Sequence, residues 1–162
     1  KKWLLFTAGP LYLGFCMTHA ILMIKLLKGT TLIISTVATV FTNDTAAYLV
    51  GKTLGKKHIY GVISPHKTLE GTLGGLIAST VIFPILSNIF SLPFHIIEAT
   101  LLGLMIGLSA QLGDLLESFL KRKAKVKNSG SILPGHGGIL DRLDSIVFPI
   151  VIIYYCALLA GL

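Results

Sequence analysis

The sequence predicts an all-α polytopic membrane protein, with about five transmembrane helices and two basic, glycine-rich loops. Hydrophobic residues make up 53% of the 162 positions and charged residues only 13%, against roughly 25% charged residues in ordinary soluble proteins. The mean hydropathy is +0.81. So few charged side chains cannot cover a soluble domain of this size, which excludes a soluble globular protein, a disordered chain and a coiled coil.

Five apolar stretches are long enough to cross a bilayer, which takes about 20 residues of helix. A helix is required because its backbone groups bond internally where water is absent. Pro10, Pro84 and Pro149 lie inside the first, third and fifth stretches and predict kinks there. Residues 91–93 predict a tight connection between the third and fourth. The predicted spans are residues 3–24, 30–51, 72–91, 95–119 and 142–162.

Two segments, residues 52–71 and 120–141, are polar, basic and rich in Gly or Pro. Five spans place both segments on the same side of the membrane, and the opposite side has only Lys25 and Lys28. Because cytoplasmic loops are enriched in basic residues, we expect both loops and the N-terminus in the cytoplasm of a bacterial-type cell membrane, and the C-terminus outside. The basic residues of the two loops are Lys52, Lys56, Lys57, Lys67, Lys121, Arg122, Lys123, Lys125 and Lys127.

The net charge of +7 is explained by these loops facing anionic lipid. We expect no nucleic-acid partner, since no stripe of Lys and Arg is interleaved with aromatic residues. Cys16 and Cys156 both lie in apolar stretches, where cysteine is most simply a packing residue. The sequence is interpreted as a single integral-membrane catalytic domain over residues 1–162, cut from a longer chain because it begins with Lys1.

The acidic residues carry the chemical information, because an intramembrane carboxylate costs at least about 2.5–3.5 kcal/mol at the bilayer centre. Three predicted helices have carboxylates near their cytoplasmic ends: Asp44 on the second, Asp114 on the fourth, and Asp141 with Asp144 on the fifth. If these helix faces converge, they form an acidic pocket beside two cationic loops. Helical spacing or adjacency brings further polar residues to the same faces, namely Asn43, Tyr48, Lys52, Gln111, Ser118, Arg142 and Ser145.

Carboxylate oxygens suit Mg²⁺, and cationic loops suit phosphate. Together they are the groups that phosphoryl or nucleotidyl transfer needs. The spacing alone leaves simpler alternatives open. Asp44 can pair with a lysine inside the bundle, and Asp141 and Asp144 can be first-turn acids favoured by the helix dipole. The glycines around His136 can admit a ligand to the backbone, although such a turn is a weak signal by itself.

The segment SFLKRKAKVKNSGSILPGHGGILDRLDS, which begins at Ser118, closely resembles the signature of the phosphatidate cytidylyltransferases, also called CDP-diacylglycerol synthases. It matches that signature at Ser118, Lys121, Arg122, Lys127, Pro134, His136, Gly137, Gly138, Asp141, Arg142 and Asp144. One position departs from the pattern, since Asn128 stands where the family has Asp, which keeps a carbonyl acceptor but removes a charge.

A second stretch, NDTAAYLVGKTLGK followed by SPHKTLEG, is also similar to that family. The resemblance covers about residues 30–162 and implies that the chain is the C-terminal part of a longer protein. The matching positions are Asp44, Ala47, Tyr48, Gly51, Lys52, Gly55, Lys56, Ser64, Pro65, Lys67, Thr68, Glu70 and Gly71.

The resemblance implies a Mg²⁺-dependent reaction of CTP with phosphatidic acid, giving CDP-diacylglycerol and pyrophosphate for phospholipid synthesis. It leaves open a second cation and a homodimer. We predict that Asp114, Asp141 and Asp144 bind the metal. The predicted catalytic set is these three with Lys121, Arg122, Lys127 and His136. The predicted substrate-binding set is Ser64, Lys67, Thr68, Glu70, Ser118, Gly137, Gly138, Arg142, Asp44 and Tyr48.

Phosphatidic acid brings its acyl chains, and moving these into water costs about 0.8 kcal/mol per CH₂ group. We therefore expect a lateral opening between helices toward the bilayer. Two alternatives stay open from the sequence: a CTP-dependent transferase or kinase that acts on another membrane lipid, such as an ether lipid or a polyprenol, and a non-enzymatic cation transporter. The transporter predicts charges spread across the membrane depth, whereas here they gather near one face.

Overall fold

The computed structural model describes residues 14–58, 61, 64, 67–123 and 140–161, and of residues 140–144 the backbone alone. This part of the chain is helical and contains no strand beyond one isolated bridge between His58 and Thr68. The prediction of an all-α membrane protein is confirmed. The helices are α1 (Gly14–Ile24), α2 (Gly29–Leu54), α3 (Leu69–Ile89), α4 (Ile96–Lys123) and α5 (Leu140–Leu159).

Helices α2, α3 and α4 are long and apolar enough to cross a membrane. The apolar parts of α1 and α5 within the described residues are shorter, at Gly14–Ile24 and Ser145–Leu159. Large apolar side chains on the outside of the bundle are well exposed, including Ile77 at 66% and Ile97 at 72%. Because water would penalise such a surface, these side chains face lipid.

Small residues bring the helices close together. A Cβ atom on Gly71 of α3 would lie 2.6 Å from the Ala47 carbonyl oxygen of α2, and one on Gly103 of α4 would lie 2.5 Å from the Ser79 carbonyl oxygen of α3. Helices in a bilayer associate largely through such close backbone packing. Inside the bundle, the larger side chains Phe83 and Ile106 are fully buried and fill the space between the helices.

The ends of α3 explain where this helix departs from the predicted span. The Thr68 hydroxyl accepts a hydrogen bond from the Gly71 N–H at 3.2 Å, which caps the first turn, so α3 begins at Leu69, within the predicted polar loop. At the other end, α3 stops at Ile89 and α4 starts at Ile96. The short connection predicted around residues 91–93 is therefore confirmed.

The prolines and cysteines that were assigned to apolar stretches lie inside helices wherever the structure describes them. Pro84 lies inside α3 and Pro149 inside α5, and both helices continue through the proline. Cys16 is buried and Cys156 half-buried, in agreement with a packing role. Pro10 lies outside the described residues.

Candidate active site

A cleft with a volume of about 590 Å³ opens between α2, α3, α4 and α5, at the end of the bundle where the residue 55–68 connection joins α2 to α3. It is mixed in character, with apolar Phe41 and Leu115 beside polar and charged side chains. The polar side chains that line it are Asp44, Thr45, Tyr48, Lys52, His58, Lys67, Thr68, Thr72, Gln111, Asp114 and Ser145.

The centre of the cleft is an ion pair between Lys67, from the connection before α3, and Asp114, on α4. Both side chains are partly exposed, at 29% and 36%. Ser118 lies one turn further along α4, and its hydroxyl is 3.5 Å from Asp114 Oδ1. Asp44 lies near enough to Asp114 and Lys67 to interact with both electrostatically. Among the described side chains, the cleft thus combines the carboxylates of Asp44 and Asp114 with the ammonium groups of Lys67 and Lys52.

Helices α2 and α5 meet at Asp44. Its carboxylate accepts a hydrogen bond from the Asn43 side-chain amide at 3.0 Å, and the Ser145 side chain of α5 also hydrogen-bonds to it. Ser145 itself is 8% exposed, so the start of α5 packs against this part of the cleft. Residues 141 and 144 are one turn and one residue before it on the same helix.

Aromatic and basic side chains form the rim of the cleft. The ammonium group of Lys52 lies 5.8 Å from the centroid of the Tyr48 ring, one turn earlier on α2. His58 lines the cleft from the connection after α2. A cationic rim above paired carboxylates suits a ligand that has both phosphate groups and a bound divalent cation.

The carboxylate of Glu70 fixes the connection that holds Lys67. Its Oε2 atom accepts hydrogen bonds from the backbone N–H groups of Lys56 at 3.0 Å and Lys57 at 3.2 Å. The Lys67 N–H also donates to the Ser64 carbonyl at 3.2 Å. These contacts close the connection against the start of α3 and bring Lys67 beside α4.

Five residues predicted for the site line the cleft together: Asp44, Tyr48, Lys67, Thr68 and Asp114. Ser64, Glu70 and Ser118 are adjacent to it but support lining residues. Lys121 is half-buried and donates to Glu117 at 3.1 Å, whereas Arg122 is exposed in the last turn of α4.

The remaining predicted residues cannot be placed in the same way. Lys127, His136, Gly137 and Gly138 lie outside the described residues, as does Asn128. The backbone of Asp141, Arg142 and Asp144 forms the start of α5, and their side chains lie outside the description.

Sequence reasoning missed several side chains of the cleft. His58 lines the cleft, although the polar, basic segment around it predicts only a loop. Helical spacing places Gln111 on the Asp114 face of its helix without giving it a role, and it proves to line the cleft and to hydrogen-bond to α2 and α3. Its signal was present in the sequence, because an amide in an apolar span requires a hydrogen-bond partner.

The donor atoms of the cleft fit a hard divalent cation. Asp44, Asp114 and the Ser118 hydroxyl all present oxygen, the ligand atom that Mg²⁺ prefers. Among the side chains that the structure describes, no three or more His, Cys, Asp or Glu residues form a cluster.

The sequence profile of the cytidylyltransferase family matches residues 1–160. The chain is 42% identical over 151 residues to a phosphatidate cytidylyltransferase of Bacillus subtilis (strain 168), which covers 92% of this chain and 56% of that protein. It is 51% identical over 111 residues to the enzyme of the same name from Staphylococcus aureus (strain COL), covering 67% of this chain and 42% of that protein.

A third relative is the uncharacterized protein YnbB of Escherichia coli (strain K12), 39% identical over 165 residues, which covers 93% of this chain and 54% of that protein. The chain thus spans about half the length of the curated relatives it matches. Since the profile match extends over nearly every residue of this integral membrane protein, the chain belongs to the cytidylyltransferase family.

Proposed function

We propose that the protein transfers a cytidylyl group from CTP to phosphatidic acid, giving CDP-diacylglycerol and pyrophosphate. The observation that supports this most is the pairing of Lys67 with Asp114 inside a cleft that also contains Asp44. Such a site can neutralise phosphate groups and bind a cation at once. The relatives named phosphatidate cytidylyltransferase support the same reaction.

In the proposed reaction, a phosphate oxygen of the lipid attacks the α-phosphorus of CTP. A new P–O bond forms there, the bond from the α-phosphorus to the bridging oxygen breaks, and pyrophosphate leaves with that electron pair. Both reactants are anionic, so the protein must reduce their repulsion. Lys67 does this by exchanging its Asp114 partner for a phosphate oxygen when CTP binds.

Mg²⁺ would be held by Asp114 together with Asp141 and Asp144, and when bound it would neutralise phosphate oxygens of the triphosphate. Asp44, which lies near Asp114, orients the bound nucleotide with Tyr48. We assign the neutralisation of the leaving pyrophosphate to Lys121, Arg122 and Lys127. His136 and its neighbouring glycines would complete the nucleotide pocket.

The lipid reaches the site from the bilayer. Phe41 and Thr45 of α2 line the cleft and also border a shallow groove of about 330 Å³ on the outer face of α2, with Ala46 and Leu49. Phe41 is 56% exposed, so the cleft is open at this side toward lipid. Acyl chains can lie on this groove while the phosphate enters the cleft. This supports the lateral opening expected from the sequence.

The basic residues around the cleft support a cytoplasmic orientation, where CTP is available. A membrane-impermeant maleimide tests this in intact cells, with one cysteine introduced at exposed Lys56 and another at exposed Ser91. Labelling of the second but not the first supports the orientation, and the reverse pattern contradicts it.

Light scattering of the purified protein tests whether it forms the homodimer that the family resemblance leaves open.

The direct test of function is an assay of the purified protein with CTP and a panel of lipid acceptors. Formation of CDP-diacylglycerol and pyrophosphate from phosphatidic acid supports the proposal. Turnover restricted to an ether lipid or a polyprenol would favour the alternative transferase or kinase. Cation flux in liposomes without turnover would favour a transporter.

A further inference from the structure

A chain of side-chain amides connects α4 to the Asp44 carboxylate on α2. Gln111 Nε2 donates to the Thr72 carbonyl oxygen at 3.0 Å and to Asn43 Oδ1 at 3.1 Å. Asn43 Nδ2 then donates to Asp44 Oδ1 at 3.0 Å. Asn43 is fully buried, whereas Asp44 lines the cleft. The chain therefore runs from the buried interior of the bundle to a carboxylate of the candidate site.

The direction of each hydrogen bond follows from its neighbour. The Thr72 carbonyl oxygen can only accept, so the Gln111 atom beside it must be the amide nitrogen. The second hydrogen of that nitrogen points at Asn43, and the Asn43 atom that receives it must be the oxygen. The Asn43 nitrogen is then left facing Asp44. Thus Gln111 determines which end of the Asn43 amide faces the carboxylate.

Gly75 makes room for this arrangement. A Cβ atom at this position of α3 would lie 2.8 Å from Asn43 Oδ1, 2.8 Å from the Asn43 backbone carbonyl oxygen and 2.9 Å from Gln111 Nε2. No real Cβ atom tolerates such contacts without a shift of its neighbours. Any larger residue at position 75 would thus displace the hydrogen bond that joins the two amides.

We propose that Gln111 is a positioning residue for Asp44 and acts through Asn43, with which it fixes the orientation of the carboxylate presented to the cleft. The inference deepens the proposed function and rests on it for the reaction that this orientation serves. Gln111 also lines the cleft, but its amide nitrogen is committed to Thr72 and Asn43. Its effect on Asp44 is therefore transmitted rather than direct.

The first test compares Gln111→Met with wild type under the proposed assay, normalised to folded protein. Methionine keeps the length of the side chain but cannot donate. We expect kcat/KM to fall about tenfold, the size typical of coupling within one hydrogen-bond network. Ser109→Ala is the control on the same helix, because the Ser109 hydroxyl donates to the Ile106 carbonyl of its own turn at 3.0 Å and takes no part in the chain of amides. It should stay within about twofold of wild type.

The second test measures stability and needs no turnover. It therefore tests the relay, the hydrogen-bonded chain from Gln111 through Asn43 to Asp44, separately from the proposed reaction. Thermal unfolding in detergent is measured for wild type, Gln111→Met, Asp44→Ala and the double variant. If Gln111 acts on Asp44 through Asn43, Gln111→Met should lower the melting temperature less in the Asp44→Ala background than in wild type. The difference between the two shifts should be at least about 2 °C. Additive shifts, or an unchanged kcat/KM in active protein carrying Gln111→Met, would overturn the inference.

Gly75→Ala is a second way to disrupt the hydrogen bond between Gln111 and Asn43. It is used if the Gln111→Met protein does not fold. It adds one methyl group between the two amides and removes no polar atom. Its control is Gly103→Ala, whose added Cβ atom would lie 2.5 Å from the Ser79 carbonyl oxygen, a tight contact between α3 and α4 that involves no member of the relay. The effect of Gly75→Ala on melting should depend on Asp44, and that of Gly103→Ala should not. Equal dependence in both variants would contradict the relay.

Discussion

The ammonium group of Lys67, in the connection before α3, is paired with the carboxylate of Asp114, on α4. Neither partner is buried, and so the pair can open when a phosphate group or a cation competes for it. Because of this ion pair, the charges of Lys67 and Asp114 neutralise each other before any ligand binds.

Replacement of Lys67 by methionine should lower kcat/KM for CTP by at least about a hundredfold, the effect typical of losing one group that stabilises developing charge. Initial rates with CTP and phosphatidic acid in micelles measure it. Lys123→Met is the matched control, because Lys123 is exposed at the end of α4 and its ammonium lies against the Phe119 ring. A normal rate in Lys67→Met protein would remove Lys67 from the mechanism.

Asp141→Asn should raise the Mg²⁺ concentration for half-maximal rate by at least about tenfold, because a neutral amide binds a hard cation less well than a carboxylate. Rates over a Mg²⁺ titration test this. Chelation of divalent cations with EDTA should also stop turnover, and excess Mg²⁺ should restore it.

The control for Asp141 is Glu98→Gln, since Glu98 lies at the opposite end of α4 from the cleft and accepts a hydrogen bond from the His95 N–H at 2.9 Å. A Mg²⁺ dependence that is the same in Asp141→Asn and wild type would show that the metal assignment is wrong.

Glu70→Ala should loosen the connection between α2 and α3, because two backbone N–H groups lose their acceptor. Trypsin should then cut faster after Lys56 and Lys57, and mass spectrometry of timed digests would show it. Glu98→Ala removes a similar side-chain acceptor elsewhere and should leave cleavage at these lysines unchanged. Identical digestion of the two variants would mean that Glu70 does not hold the connection.

Gly71→Ala should destabilise the protein by about 1–3 kcal/mol, the usual cost of forcing a methyl group into a packed contact. The new Cβ atom would lie 2.6 Å from the Ala47 carbonyl and 3.1 Å from Gly51 Cα, so α2 and α3 must separate. Thermal unfolding in detergent measures the effect. At Gly14 no atom of the described residues lies within 4 Å of an added Cβ, and Gly14→Ala should not lower the melting temperature.

Composition and hydropathy were sufficient to predict a helical membrane protein, because the chain has too few charges for a soluble fold and its apolar stretches are long enough to cross a bilayer as helices. The helix boundaries were less predictable. Hydropathy ends α2 near residue 51, but the structure continues it to Leu54, since a helix does not stop where lipid gives way to water. Likewise, the Thr68 cap starts α3 at Leu69, inside a segment that its polar composition predicts to be a loop.

The sequence by itself determined the fold class and the kinds of chemical group available, because hydropathy, helical spacing and motif residues are local properties. Through its family resemblance, the sequence also assigned one predicted site to Asp44, Lys67, Thr68 and Asp114. Only the tertiary structure decided that Lys67 pairs with Asp114, that His58 lines the cleft, and that Gln111 reaches Asn43 past Gly75. Those contacts depend on how closely α2, α3 and α4 approach one another, a distance that no single segment encodes.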